Sequence, residues 1–294
     1  MIGRARTSLK WFLFAVRADD RRRGRYSRLV GRLRAGEVRR RRAGAAQLPA
    51  PAFEIPADVG FCVFAPDALD GVADVVADVQ RIREGLSLRG DGAEKPYLLE
   101  HSIDEPSPAL LRFALHEQVI APIAHYLGMI PMLTGITLLA SPHVPGEASG
   151  SQRFHSDWED VRQVKVFVNC SPVAEENGPL TAVVAEASQR VKAATGYHYG
   201  GPSFRLSDSA VVPFVDPHEV VAFTGPPGTT VFIDTSTCLH LGSRVSPGAD
   251  ERLVVQFQFL TPLAFDVLLE PRKRRPFAAL ASPASAVERL VLCG

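Results

Sequence analysis

The chain has 294 residues, a net charge of +1, and 46% hydrophobic and 22% charged residues, which is the composition of an ordinary globular protein with a substantial core. The longest apolar run near the start, "WFLFAV", is far shorter than the roughly 20 residues of a membrane span. The cysteines are scattered without a CxxC pair, which argues against a disulfide framework and a zinc–thiolate site. We therefore predict a cytoplasmic protein.

The first 50 residues carry the basic charge of the chain. From Met1 to Arg42 there are 15 lysines and arginines against three acids, and the remainder is net acidic. "RYSRLVGRLR" places Tyr26, Leu29, Val30 and Leu33 on one helical stripe among arginines. We predict that residues 1–50 form a basic appendage, amphipathic or disordered, that is dispensable for chemistry. Weak contact with an anionic membrane or an acidic partner is one role, a solvated tail is the alternative, and no specific nucleic-acid contact is predicted.

Two helices are predicted after a linker with regularly spaced prolines. The first runs from Asp67 to Glu84, where apolar residues recur at helical period. The second begins after Ser107, a typical N-cap that is followed by a proline, and it ends at Gly128. Pro122 is predicted to bend this second helix.

The chain changes character after Ile130. Short β-branched runs follow one another between glycine and proline turns: "LTGITLLAS", "QVKVFVNCS", "PLTAVVA", "EVVAFTG", "TTVFIDT" and "RLVVQFQFL". Regular short strands of this kind predict a sandwich or barrel. A longer polar and glycine-rich segment, residues 195–216, is predicted to be a loop over an opening. Residues 51–294 are therefore predicted to form one mainly β domain with flanking helices.

Four residues in the β-rich half point to a metal site. His155 and Asp157 lie two apart in "SQRFHSDWED", so on a β-strand both side chains would share a face. This pair alone is compatible with a metal, a hydrogen-bonded polar pair or simple solvent. His240 ends a later strand, and Arg252 opens the last one. Two histidines and a carboxylate can occupy one face of an octahedral iron(II), and an arginine nearby can hold a dicarboxylate.

In order and spacing, these motifs resemble the phytanoyl-CoA dioxygenase-like family of iron(II)/2-oxoglutarate oxygenases, most strongly over residues 150–260. The family pattern is His-x-Asp, an Asn-Gly-Pro turn, a distal His and an Arg; it maps onto His155 and Asp157, Asn177-Gly178-Pro179, His240, and Arg252. The resemblance implies a double-stranded β-helix, also called a cupin-like jelly roll, with helices on one side. It further implies catalytic Fe(II) bound by the two histidines and the aspartate, with 2-oxoglutarate and O2 as cosubstrates of a hydroxylation.

The sequence offers several candidates for the residues that would bind the cosubstrate. Arg252 is favoured for 2-oxoglutarate because it shares a mixed polar strand face, but Arg244 in "LGSR" competes for that role. Lys165 lies in a β-run, where it reaches the cosubstrate or substrate or else faces water, and Gln152 flanks the metal pair as a further candidate. The chain departs from the family in carrying "AEASQR" where members often have Gly-Ser-His.

Two functions of different classes follow from the sequence. The first is a dioxygenase that hydroxylates an unactivated C–H bond of a small-molecule or lipid-like substrate. The alternative is a cupin-like metal-dependent isomerase or small-molecule-binding jelly roll without oxygen chemistry, which would need neither Arg252 nor 2-oxoglutarate. Nothing in the sequence identifies the substrate.

Overall fold

A computed structural model of the chain describes residues 20–86, 96–199, 204–265, 276–280 and 285–293. Its β-strands are short except for two long central ones. They are β1 (Phe61–Phe64), β2 (Leu99–Ser102), β3 (Met132–Ser141), β4 (Val164–Asn169), β5 (Thr181–Val183), β6 (Val220–Ala222), β7 (Thr230–Ile233), β8 (His240–Leu241) and β9 (Arg252–Leu260). All six β-runs predicted after Ile130 contain a strand, whereas β1 and β2 were not predicted. The strand predicted to end at His240 is the two-residue β8, which begins there.

The strands form two antiparallel sheets. The larger has the order β1-β7-β4-β9-β3-β2 and the smaller the order β6-β5-β8. In the larger sheet Val166 of β4 lies opposite Phe232 of β7 and Phe257 of β9. An apolar layer joins the inner faces of the two sheets, formed among others by Phe61, Phe167, Ala182, Phe223, Val231 and Val254. The prediction of a mainly β, double-stranded β-helix with flanking helices is confirmed.

Helices cover the outer face of the larger sheet. The longer helices are α1 (Asp20–Leu33), α2 (Ala35–Ala45), α3 (Val72–Glu84), α4 (Pro108–Leu115), α5 (Glu117–Leu127), α6 (Ala185–Thr195) and α8 (Ala286–Cys293), with a single turn at α7 (Asp208–Val211). Helices α3, α4, α5 and α8 contribute to the main core, together with the outward-facing side chains of the sheet. This layer closes one side of the sheet and leaves the opposite face for the site.

The predicted second helix is divided in two, and the division was not predicted. Ser107 caps the N-terminus by accepting a hydrogen bond from the Leu110 amide, and Gly128 ends the helix with a left-handed backbone, as predicted. The break lies at His116, whose backbone is extended (ψ 141°) and whose Nδ1 accepts from the Gln118 amide. A new helix start is capped there, while Pro122 is contained within α5.

Strand β9 separates the core from the site. Its apolar face lies wholly in the main core, as the alternation predicts: Leu253, Val255, Phe257 and Phe259. On its other face, Arg252 and Gln256 line a cavity between the sheets. The neighbouring strand β4 follows the same rule, since Val166 is in the core and Lys165 lines the cavity.

The basic N-terminal segment is partly integrated into the fold, which corrects the prediction of an appendage for residues 20–45. Arg41 is fully buried and donates from Nη1 to the carbonyls of Ile130 and Pro131. Arg23 is also buried and donates from Nη2 to the carbonyl of Asp160. Backbone carbonyls therefore accept hydrogen bonds from both buried guanidinium groups, and sequence periodicity does not reveal such partners. The domain boundary near residue 50 stays a prediction.

The outer surface of α1 keeps the features predicted from its sequence. Leu29 and Leu33 are 56% and 79% exposed, and Arg25, Arg28 and Arg32 are exposed beside them. The apolar run "WFLFAV" lies outside the described residues. Within the described part of the chain, no helix is both long and apolar enough to cross a membrane. Contact of α1 with an anionic surface stays a prediction.

Candidate metal centre

Backbone pairing brings the two histidines together. The amide of His155 donates to the carbonyl of His240 at 2.9 Å, and the amide of His240 donates back at 2.8 Å. This isolated antiparallel bridge links the chain after Gln152 to β8. Their ring centroids lie 4.3 Å apart. The predicted strand around His155 is thus only a bridge, and His240 begins a strand rather than ending one.

Asp157 completes a cluster of three possible metal ligands. Its amide donates to the carbonyl of Thr235 at 2.8 Å, which fixes the backbone next to the end of β7. Its carboxylate oxygens lie 3.8 Å from Nε2 of His155 and 3.8 Å from Nε2 of His240. One ligand atom from each residue falls within 4.8 Å of the others, and all three residues lie in the buried interior. Two imidazoles and one carboxylate form the donor set of a facial iron(II) site.

The outer nitrogen of each imidazole is fixed by the backbone. Nδ1 of His155 lies 2.9 Å from the carbonyl of Arg153, and Nδ1 of His240 lies 3.1 Å from the carbonyl of Cys238. A carbonyl only accepts, so Nδ1 carries the proton in each ring. The Nε2 lone pairs therefore face Asp157 and are available to a metal, in the orientation that outer hydrogen bonds give to metal-binding histidines.

Burial sets the charge state of the cluster. It lowers the pKa of both histidines, and for His155 the neighbouring His240 and Arg205 lower the pKa further. Burial alone would raise the pKa of Asp157, but Lys165 and the two histidines hold that pKa below its ordinary value. Neutral imidazoles beside an ionised carboxylate are the protonation states that metal binding requires.

The Asn-Gly-Pro turn positions the segment that follows His240. Asn177 accepts from the Ala174 amide and donates to the carbonyl of Asp250. Gly178 has a positive φ of 65°, and a Cβ at this position would collide with the backbone of Arg244. Its carbonyl accepts from the Ser243 amide at 3.0 Å. A glycine is thus required at this position both by the left-handed backbone conformation and by the close approach of the neighbouring segment.

Arg252 reaches the same cavity as the triad and is nearly unpartnered. It is 5% exposed, Nη2 donates to Oγ of Ser243 at 3.1 Å, and Nε has no hydrogen-bond partner among the described residues. No carboxylate in the described ranges forms an ion pair with it. Burial lowers the pKa of its guanidinium to about 10, which leaves it charged at neutral pH. A buried guanidinium in this state is suited to a carboxylate ligand.

The structure does not bring Arg244 or Gln152 into this cavity. Nη1 and Nη2 of Arg244 form a bidentate pair with Asp208 at 2.8 and 2.7 Å, and its Nε donates to the carbonyl of Gln152. The Gln152 amide donates to the carbonyl of Ser243 and accepts from the amide of Ser149. Both side chains therefore have structural partners, which the strand pattern alone did not show.

Lys165 faces the triad. Its Nζ lies 2.7 Å from Oδ2 of Asp157, and it is 8% exposed. Burial would lower the pKa of Lys165, but Asp157 and Glu159 raise it above its ordinary value. The lysine therefore remains a cation and is the charged partner of the central carboxylate.

The cavity between the sheets has a volume of about 260 Å³ and contains a residue that the sequence did not single out, Arg205. Besides the triad, Lys165 and Arg252, its lining includes Leu98, Glu100, Leu139, Trp158, Glu159, Phe167, Leu180, Phe204, Arg205, Leu241 and Gln256. The sequence feature that could have identified Arg205 is that it is the only lysine or arginine in the predicted loop 195–216.

Solved structures of the same fold were found, although no protein-family model matches the chain and no curated protein matches it in sequence. EctD from S. alaskensis in its apoform has a TM-score of 0.53 at 19% identity, covering 73% of this chain and 78% of that chain. EctD with bound Fe has a TM-score of 0.53 at 16% identity, with 73% and 80% covered. EctD with 2-oxoglutarate and 5-hydroxyectoine has a TM-score of 0.51 at 16% identity, with 74% and 80% covered.

At these identities the likeness establishes the fold. The chain is a double-stranded β-helix of the kind seen in a protein solved with iron and with 2-oxoglutarate. The site is defined by the chain's own residues: a His-Asp-His cluster and a buried guanidinium that open into one cavity.

Proposed function

We propose that the protein is an Fe(II)- and 2-oxoglutarate-dependent dioxygenase that hydroxylates a C–H bond of a small molecule. One observation carries the proposal: the three possible ligands and the unpaired guanidinium of Arg252 line the same cavity. A metal with three protein ligands keeps positions for other ligands, and the guanidinium supplies a binding site for a carboxylate. The order of the sequence motifs supports the finer assignment to the phytanoyl-CoA dioxygenase-like family.

In this proposal Nε2 of His155, Nε2 of His240 and a carboxylate oxygen of Asp157 hold iron. Iron supplies O2 activation coupled to oxidative decarboxylation of 2-oxoglutarate. The chain keeps the imidazoles neutral by burial and oriented by the carbonyls of Arg153 and Cys238. Lys165 acts as a positioning residue, because its ion pair holds Asp157 ionised and directed at the histidines.

Arg252 is proposed to bind the distal carboxylate of 2-oxoglutarate. Its position on β9, its burial and its single hydroxyl partner support this role. Arg244 is a poor candidate, since its guanidinium is already paired with Asp208. A binding or isomerase jelly roll that takes no anionic ligand would leave this buried cation without a counter-ion, so Arg252 favours the dioxygenase over that form of the alternative.

The cavity walls are proposed to limit water and side reactions near the metal. They are formed in part by apolar side chains, including Leu139, Phe167 and Leu241. Small-molecule sites combine such walls with a few fixed polar groups. The reacting carbon of the substrate would lie against these residues, close to the triad.

Two measurements test the proposal. Calorimetry without O2 should show that 2-oxoglutarate binds to protein loaded with Fe(II) and not to metal-free protein. With O2 and ascorbate, the loaded protein should convert 2-oxoglutarate to succinate, and a substrate found by screening should gain one oxygen atom from labelled O2. Variant His125→Gln, which changes an exposed histidine of α5, is the matched control. Metal-independent binding of 2-oxoglutarate, or metal binding without any succinate, would contradict the dioxygenase.

A further inference from the structure

Three cationic side chains line the cavity, and the proposed function uses two of them. Lys165 is paired with Asp157 at 2.7 Å. Arg252 is assigned to the cosubstrate because it is buried and lacks a carboxylate partner. The third cation is Arg205, which lies in the predicted loop over the opening and also lines the cavity. It has no role in holding iron or 2-oxoglutarate.

The guanidinium of Arg205 is held in place without a counter-ion. Its Cζ lies 4.7 Å from the ring centroid of Phe204, a stacking contact that restricts the side chain. Its Nη1 is buried and has no hydrogen-bond partner within the described ranges. Burial lowers the pKa of Arg205, whereas Asp157 and Glu159 act in the opposite direction.

The acids of the cavity are engaged with other groups. Asp157 is bound by Lys165 and faces the two histidine Nε2 atoms, and Glu159 accepts from Nε2 of Gln163 at 3.3 Å. The third acid of the lining, Glu100, contributes to the raised pKa of Lys165. Among the described residues Arg205 forms no ion pair with any of these three carboxylates. A buried guanidinium nitrogen without an acceptor is costly, so an oxyanion from outside the chain that meets Nη1 would stabilise Arg205.

We propose that Arg205 binds an anionic group of the substrate, a carboxylate or a phosphate. The proposal rests on the proposed function, since it treats the cavity as the site of reaction. The planar guanidinium matches an oxyanion through paired hydrogen bonds. The rest of the lining mixes apolar side chains such as Leu98 and Leu180 with polar ones such as Gln256, and it would contact the remainder of the substrate. Arg205 is then a specificity-determining residue, because it fixes the anionic end and so selects which carbon lies near the metal.

The test compares charged and neutral probes of the same shape. Protein is loaded with nickel and 2-oxoglutarate without O2, so that the triad and Arg252 are occupied, and the loading is measured first. Benzoate and benzamide are then titrated by calorimetry, and phenyl phosphate and phenol form a second pair that separates carboxylate from phosphate. At least one anion should bind about tenfold or more tightly than its neutral partner, as a charge-assisted hydrogen bond provides.

Variants connect that preference to Arg205. Arg205→Gln should remove it, and Arg205→Lys should keep part of it because the charge remains while the planar fork is lost. Arg39→Gln, which removes an exposed arginine of α2, is the control and should keep the full preference. The inference is overturned if neither anion binds more tightly than its neutral partner, including the case in which no probe binds, or if Arg205→Gln and Arg39→Gln behave alike.

The two proposals fail in different ways. Absence of metal-dependent 2-oxoglutarate binding in the loading step contradicts the proposed function and, with it, the inference. Normal loading followed by equal affinities for benzoate and benzamide, and for phenyl phosphate and phenol, contradicts only the role of Arg205.

Discussion

The cavity and the polar cluster around Asp234 lie at similar depth, yet they satisfy their polar groups differently. Asp234 directly follows β7, is fully buried, and accepts from Tyr126 Oη, from Thr237 Oγ1 and from the amides of Ser236 and Thr237. In the cavity, Arg252 Nε and Arg205 Nη1 have no partner within the described ranges. Burial is common to both regions, so the difference lies in where the partners come from.

This difference separates groups that build the fold from groups that bind ligands. A buried carboxylate with four donors is complete without any other molecule and stabilises the turn between β7 and β8. A buried guanidinium with one hydroxyl partner is complete only when an anion is present. Variants in the first region should therefore change stability, and variants in the second should change binding.

The largest effect is expected at the triad. His155→Ala, Asp157→Ala and His240→Ala should each abolish tight iron binding and turnover, because two protein donors remain where three are needed. Anaerobic titration with Fe(II), together with succinate release, measures both losses. A variant that keeps near wild-type activity with ordinary iron would show that its residue is not a ligand.

Asp234→Ala is the matched change in the other region. It leaves several buried donors unsatisfied and should lower the free energy of unfolding by about 3 kcal/mol or more. The fraction that remains folded should still bind iron. If Asp234→Ala removed iron binding from a protein of normal stability, the proposed division between the two regions would be wrong.

The next effect separates two arginines. Arg252→Gln should raise the KM for 2-oxoglutarate by about 30-fold or more, since loss of a buried charged partner costs about 2–5 kcal/mol. Arg244→Gln removes the pair with Asp208 and should change that KM much less. Steady-state succinate formation at varied 2-oxoglutarate measures the ranking. The reverse ranking would assign the cosubstrate to Arg244.

Much of the contrast between the core and the cavity could be predicted from the sequence. The two faces of β9 follow from strict alternation, which placed Leu253 and Phe257 in the core and Arg252 opposite them. The juxtaposition of His155 with Asp157 was also predicted, although the pair lies beside an isolated bridge and not on a regular strand. Local periodicity is sufficient to predict which side chains of a helix or strand lie in the core wherever one face of that element is buried.

The remaining features depend on contacts between distant segments. The burial of Arg23 and Arg41 requires backbone carbonyls more than 80 residues away, which no local pattern encodes. The pairing of Arg244 with Asp208 likewise joins the segment after β8 to the start of α7. Arg205 is the only lysine or arginine of the predicted loop 195–216, but its position in the cavity depends on the packing of that segment against distant ones.

A smaller effect is expected at the N-terminal helix, which behaves like the Asp234 region. Arg23→Gln should lower the free energy of unfolding by about 1–3 kcal/mol, because the buried carbonyl of Asp160 loses a charged donor. Arg28→Gln, on the exposed side of the same helix, should change stability little. Urea unfolding of both variants gives the comparison. Equal stabilities would show that α1 is the dispensable appendage that the charge pattern alone predicts.

The exposed side of α1 can be tested separately. We propose that Arg25, Arg28 and Arg32, with Leu29 and Leu33, contact an anionic membrane surface. Co-sedimentation with vesicles that contain phosphatidylserine should fall when the three arginines are replaced by glutamine and should be lost at high salt. Equal sedimentation of this variant and the wild type would exclude membrane contact through these arginines. Contact with an acidic partner, or no contact at all, would then remain.

The smallest effect is the pH dependence that burial gives to the cavity. In metal-free protein, burial lowers the pKa of His155 and His240, whereas in the unfolded chain both titrate near about pH 6.5. Below about pH 6.5 the unfolded chain therefore binds more protons than the folded chain, so the free energy of unfolding falls as the pH falls and rises as the pH rises. Asp157 acts in the same direction only at more acid pH. Lys165 acts in the opposite direction: because its pKa is raised in the folded protein, its contribution to stability is lost as the pH rises through the alkaline range.

Metal-free protein should thus lose about 1 kcal/mol or more of stability between about pH 7 and 5.5 through these two histidines. In His240→Gln this slope should be shallower, and in His125→Gln, at an exposed position of α5, it should match that of the wild type. Urea unfolding at several pH values measures the slopes. Bound nickel should steepen the loss in acid, because protons compete with the metal for the same Nε2 atoms. A slope that is identical in all three proteins would mean that the neutral imidazoles of the cavity are not what makes this region sensitive to acid.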